Sequence, residues 1–253
     1  YNGSSNTFLG WNWRANGGTT SSNATGDITS TVQADPSGGF SIFTYTGSGT
    51  SGNTVAHGLS QAPTMTIIKQ RNSSNGWNVW ATGYNNGDYD SFAELNTGGA
   101  WLANQGGSGP YTAAPGATLL TLTSYGQVNN SGSTYVGYAF SDIEGYCKSG
   151  SYVGNASTDG TFVYTGFRPA WLMIKRVAAE SWFVMDDKRD TYNVVEGVMQ
   201  LNGGNPESTA DYDVGDFLSN GFKLRISGVG FNGAEQYIYM AFAENPFKYA
   251  TAR

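Results

Sequence analysis

Two stretches of this chain read as one pattern written twice. Thr54–Gly83 is TVAHGLSQAPTMTIIKQRNSSNGWNVWATG, and Thr161–Asp187 is TFVYTGFRPAWLMIKRVAAESWFVMDD. Each runs from an apolar strand into a turn of Gly and Leu or Phe. Each then has a Pro, a strand ending in Ile-Lys, a polar loop and Trp-x-Val. Pro63 recurs as Pro169, Lys69 as Lys175, Trp77 as Trp182, and Ala139-Phe140 as Ala241-Phe242, in one order and at a nearly constant offset. Four such pairs point to an internal duplication.

The repeated unit is built of strands. SIFTYT at Ser41–Thr46 alternates large side chains in period two, and Thr64–Gln70 and Trp77–Thr82 follow as further strands. Gly-rich stretches and signals such as Asp35-Pro36-Ser37-Gly38 separate them. With 36 Gly, 14% aromatic and only 13% charged residues, the composition is that of many short strands and tight turns. The helical crossovers that parallel sheets need are missing. The expectation is an all-β chain of two tandem antiparallel β-sandwich or jelly-roll-like domains related by duplication. Residues 39–145 form the first repeat and 146–253 the second, behind an N-terminal strand and linker at 1–38. FLGWNW at Phe8–Trp13 resembles YVGYAF at Tyr135–Phe140 and YIYMAF at Tyr237–Phe242, which end their repeats. Phe8–Arg14 is therefore expected to be a strand, the last of a preceding copy or one completing a neighbouring sheet. A short helical turn is expected over Asp216–Asn220.

Candidates for chemistry are few. Net charge is −6 with no basic cluster, which argues against nucleic acid, and no apolar run is long enough to span a membrane. Cys147 is the only cysteine and His57 the only histidine, so neither an internal disulfide nor a Cys/His metal cluster can form. No nucleophile elbow or phosphate loop is present, and no cofactor is expected. Asp142 with Glu144 and Asp186 with Asp187 are the carboxylate pairs that glycoside hydrolysis would require, but a solvated loop role is the simpler reading. Asp211, Asp213 and Asp216 are spaced like ligands of a hard cation without completing a calcium loop, and count only as a weak metal candidate. His57 reads as a turn residue bonded to backbone. The loop aromatics Tyr84, Tyr89, Trp101, Tyr111 and Tyr125 are the candidate ligand platform, able to stack on a sugar or serve an interface. No catalytic residue is assigned.

Beyond the repeat itself, TVAHGLSQAPTMTIIKQR resembles a strand pair of bacteriophage fibre-like proteins. YCKSGSYVGNASTDGTFVYTGFRPAWLMIKR and YIYMAFAENPFKYATAR resemble a duplicated C-terminal domain of large virion proteins from marine bacteriophages. That domain has no assigned function and is often joined to concanavalin-like modules. The resemblance runs from about Phe8 to Arg253, and it implies that Arg253 ends the parent protein. It also implies a non-enzymatic structural role at the virion surface, as fibre, spike or decoration module. The partners it implies are other virion proteins, further copies in a homo-oligomer (a trimer by analogy with phage fibres), and a host-surface glycan. A carbohydrate-binding module and a polysaccharide depolymerase are the alternatives. The two copies differ at His57 against Thr165 and in the loops after Trp77 and Trp182, which is where specific recognition is expected.

Overall fold

The computed structural model describes residues 8–15, 18–85, 87–103, 108–208 and 213–245. The first half runs β1 (Ser21–Asn23), β2 (Ser30–Asp35), β3 (Phe40–Thr46), β4 (Thr54–Ala56), β5 (Met65–Gln70), β6 (Trp77–Ala81), β7 (Ala93–Glu94) and β8 (Leu119–Thr121). It ends with one helical turn, α1 (Gly126–Asn129), and β9 (Thr134–Phe140). The second half runs β10 (Cys147–Val153), β11 (Phe162–Tyr164), β12 (Pro169–Arg176), β13 (Trp182–Asp186) and β14 (Met199–Gln200). Then come β15 (Gly215–Leu218), β16 (Gly221–Leu224) and β17 (Gln236–Ala243). Every pairing between these strands is antiparallel. The chain is all-β, as its composition and turn spacing require.

Two large sheets carry the fold. One has the order β1-β2-β3-β9-β5-β6-β7, the other β10-β17-β12-β13-β14. Two smaller sheets, β4-β8 and β11-β16-β15, lie outside them. From β3 onward the orders of the two halves correspond strand for strand. So do the registers: Phe140 lies opposite Phe40 and Met65, as Phe242 lies opposite Cys147 and Trp171. Lys69 faces Trp77 as Lys175 faces Trp182.

Three apolar clusters separate four layers. Phe43, Tyr45, Trp80 and Leu120 fill the space between the first large sheet and β4-β8. Leu172, Ile174, Tyr239 and Phe222 do the same between the second large sheet and β11-β16-β15. Between the two large sheets lies a third cluster, to which Phe40, Met65 and Phe140 come from one half and Trp171, Met240 and Phe242 from the other. Strands β12 and β17 are thus covered on both faces: Trp171 and Met173 point to the centre, Leu172 and Ile174 outward. This is why they read as unbroken apolar runs, AWLMI and YIYMAF, rather than as alternating ones.

Two local expectations are corrected. Phe8–Arg14 is not a strand: its described residues enter no ladder. Trp11 and Trp13 pack against the central cluster instead, with the Trp13 ring 5.4 Å from those of Trp171 and Phe242. Burial of the indoles meets the segment's apolar demand without pairing. Asp216–Asn220 is not helical either. Gly215–Leu218 is β15, paired with β16 across Ser219-Asn220, and Phe217 lies opposite Phe222 in the outer core. Segment 1–38 supplies β1 and β2 to the first large sheet, and the join at 145/146 falls between β9 and β10. No helix among the described residues is long and apolar enough to cross a membrane.

Candidate functional site

Several buried polar side chains have a counterpart in the other half that bonds backbone in the same way. His57 is fully buried after β4. Its Nδ1 accepts the Leu59 amide at 3.3 Å, which leaves the Nε2 proton to be donated to the Gly116 carbonyl at 3.2 Å. Burial lowers its pKa, against the opposing pull of that carbonyl. Thr165, after β11, does the same job with a hydroxyl: its Oγ1 accepts the Phe167 amide and donates to the Phe167 carbonyl at 2.6 Å. Gly58 and Gly166 follow them at φ +83° and +88°, values that favour glycine. The difference between His57 and Thr165 is therefore two side chains closing one kind of turn.

Lysines and asparagines repeat this. Lys69 donates to the carbonyls of Gln70 and Ser73, and Lys175 to those of Arg176 and Ala178. Asn129 accepts the Ser48 amide and donates to the carbonyls of Thr50 and Thr123. Asn232 accepts the Asn155 amide and donates to the carbonyls of Ser157 and Ile226. Beside these knots Tyr45 stacks on Tyr135, and Tyr152 on Tyr237, each pair at 5.0 Å.

The five loop aromatics do not share a surface. Tyr111 is buried, its hydroxyl hydrogen-bonded to that of Thr66 at 2.5 Å and its ring edge-on to Trp80. Half-buried Tyr125 packs against Phe92. Tyr84 stacks on buried Trp101 at 5.2 Å, against the central cluster. Only Tyr89 stands open, 43% exposed. The aromatic content that suggested a platform is the core of the stacked sheets.

The acids are mostly engaged. Asp216 is paired with Arg225 at 2.5 Å, Asp213 is exposed, and Asp211 lies outside the described residues. Among the described residues no three His, Cys, Asp or Glu side chains are grouped to hold a metal. Asp186 accepts the Arg189 Nε at 2.8 Å and the Trp11 indole N–H at 3.2 Å. Burial penalises its charge, but the Arg189 bonds outweigh that and leave the carboxyl below its ordinary range. Asp187 is paired with Lys188 and Arg168.

Asp142 and Glu144 come together at an open cleft. It measures about 310 Å³ and also takes in Lys148, Tyr164 and Gly166. Asp142 Oδ1 accepts the Thr64 hydroxyl and the Ser149 amide, both at 2.8 Å. Burial raises its carboxyl above the usual range despite those bonds. Lys148 Nζ donates to the Tyr164 carbonyl at 3.2 Å and lies 5.4 Å from the centre of the Tyr164 ring, which is 59% exposed. Lys148 and Tyr164 were not singled out from sequence. The available signal was their contrast with Ser41 and Ala56 at the matching places of the first repeat.

Layered antiparallel sheets, anchored by buried polar side chains bonded to backbone, define the class: an all-β, sandwich-like protein. The chain belongs to the family described as a domain of unknown function, DUF7483, whose model matches residues 1–246. No curated protein and no solved structure matches it.

Proposed function

We propose that this chain is a structural, non-enzymatic component of a bacteriophage particle surface, a fibre, spike or decoration module. Its two halves descend from one duplicated unit, and it works as a homo-oligomer, by analogy with phage fibres a trimer. The observation that carries the reading is the paired use of polar side chains. His57 and Thr165, Lys69 and Lys175, and Asn129 and Asn232 anchor backbone in the same way in both halves. Such pairs serve rigidity, which a particle surface needs. The likeness of the second-half motifs to virion proteins supplies the setting, and contact with a host glycan belongs to the same proposal.

Mass spectrometry of density-purified, protease-treated particles tests it. Peptides of this chain in stoichiometric amount are expected, and their restriction to the infected-cell fraction would remove the virion assignment. Light scattering on the recombinant chain tests the trimer, and a glycan array tests the host contact.

A further inference from the structure

One segment of the first half closes a corner that the second half leaves open. Ile28 bridges to Val55 of β4, its amide donating to the Thr54 carbonyl at 2.9 Å. β2 then pairs with β3 along Ser30–Asp35. The stretch from Asp27 to Asp35 therefore covers the outer edges of β3 and β4 together. Ser30 and Val32 are buried beneath it, and Ser30 Oγ donates to the Ala56 carbonyl at 2.8 Å. The space over Gly58 is filled by β2: a Cβ there would meet those of Ala34 and Val32 at 3.1 and 3.3 Å.

In the second half the counterparts of β3 and β4 are β10 and β11, and both are edge strands. Residues 141–146, between β9 and β10, are too few to supply a covering strand. Odd-numbered residues of β10 face outward. Cys147 is bridged by Ile143, the Ser149 amide is taken by Asp142, and the Val153 carbonyl accepts the Thr161 hydroxyl. The Ser149 carbonyl, both backbone groups of Ser151 and the Val153 amide enter no ladder. Val153, Phe162 and Tyr164 stand 65%, 44% and 59% exposed along this corner. The cleft of Asp142, Glu144, Lys148, Tyr164 and Gly166 lies where β2 side chains lie in the first half. Lys148 Nζ bonds the Tyr164 carbonyl, the counterpart of the Ala56 carbonyl that Ser30 satisfies.

We propose that the β10–β11 corner is a strand-acceptor site. It takes an extended segment of another polypeptide with β2's pattern: small or β-branched side chains at alternate positions and a Ser or Thr facing the Tyr164 carbonyl. Main-chain bonds to Ser149, Ser151 and Val153 supply the affinity, and the cleft reads the side chains. Entry of the strand displaces the Lys148 ammonium to solvent, which its flexible stem permits. The inference rests on the geometry of the two corners and holds whether or not the parent is a virion component.

The probe is the peptide Asp27–Gln33, DITSTVQ, titrated into the ¹⁵N-labelled chain and followed by NMR. Saturable shifts at Ser149–Val153 and Phe162–Tyr164 are expected, with Kd of about 1 mM or tighter and no response to a scrambled peptide. Ser151→Pro removes an outward N–H from an edge strand, where proline is tolerated, and is expected to weaken binding about tenfold or more. Val153→Pro is the second such variant should the first lose its native spectrum. Equal response to the scrambled peptide, or unchanged binding in the proline variants, overturns the proposal. So does binding that appears only in Lys148→Ala, which would make Lys148 a guard that keeps the edge unpaired.

Discussion

Lys175 has no exposed surface, and burial pulls its ammonium down to about 8 from 10.5. Above pH 8 the folded chain releases a proton that the unfolded chain holds until 10.5, so stability climbs with pH across that window. Cys147 acts in the opposite sense, since burial pushes its thiol up to about 12 from 9.0, and its cost is small at pH 8 and grows as pH passes 9. Between pH 8 and 9 the free energy of unfolding is expected to rise by about 1 kcal/mol. Urea titrations of wild type and Lys175→Met check this: a flat wild-type profile, or a rise kept in the variant, rules out Lys175 as its source. Asn129 and Asn232 allow a paired test. Each has no exposed surface and bonds at least three backbone groups. Asn129→Ala and Asn232→Ala are each expected to cost about 3 kcal/mol, since removing the amide strands buried donors and acceptors. Losses that differ by more than about twofold would show that the two knots are not equivalent in energy.

At the level of the element, β3 and β10 match in length and register but differ at their outer edges. Thr44 faces β2, whereas its counterpart Ser151 faces no strand. Hydrogen exchange should register this, with the Ser151 amide exchanging at least about a hundredfold faster than that of Thr44. Similar protection at both sites would mean the β10 edge is covered in solution. Much of this layer was legible in the sequence. The Trp77/Trp182 and Lys69/Lys175 echoes mark matched strand pairs, and Asp35-Pro36-Ser37-Gly38 is a turn in which Asp35 Oδ1 accepts the Ser37 and Gly38 amides. Other parts were not. FLGWNWR carries a strand's alternation, yet its indoles are used as wedges, and alternation alone does not separate the two uses. The aromatic platform failed for a related reason: Tyr111 and Trp101 stand in loops by sequence, but those loops fold back over apolar faces. The cleft residues Lys148 and Tyr164 acquire meaning only once two corners can be compared.

Across the whole molecule, the central cluster joins what the sequence divides. Phe40, Met65 and Phe140 share one buried cluster with Trp171, Met240 and Phe242. Heating is therefore expected to give one transition, coincident by near- and far-ultraviolet circular dichroism, and Met240→Lys should weaken both halves together by about 3 kcal/mol or more. Two separated transitions in the wild type would show that each half has a sufficient core of its own. The same feature bears on how the protein is made. When Phe140 leaves the ribosome, the first large sheet has all its strands but not the layer that covers its inner face. About a hundred further residues must be polymerised before β17 arrives, an interval of about 5–20 s at ordinary elongation rates. For that time the nascent chain carries a bare sheet of aromatic and methionine side chains. Its yield is thus governed by what occupies that face during synthesis.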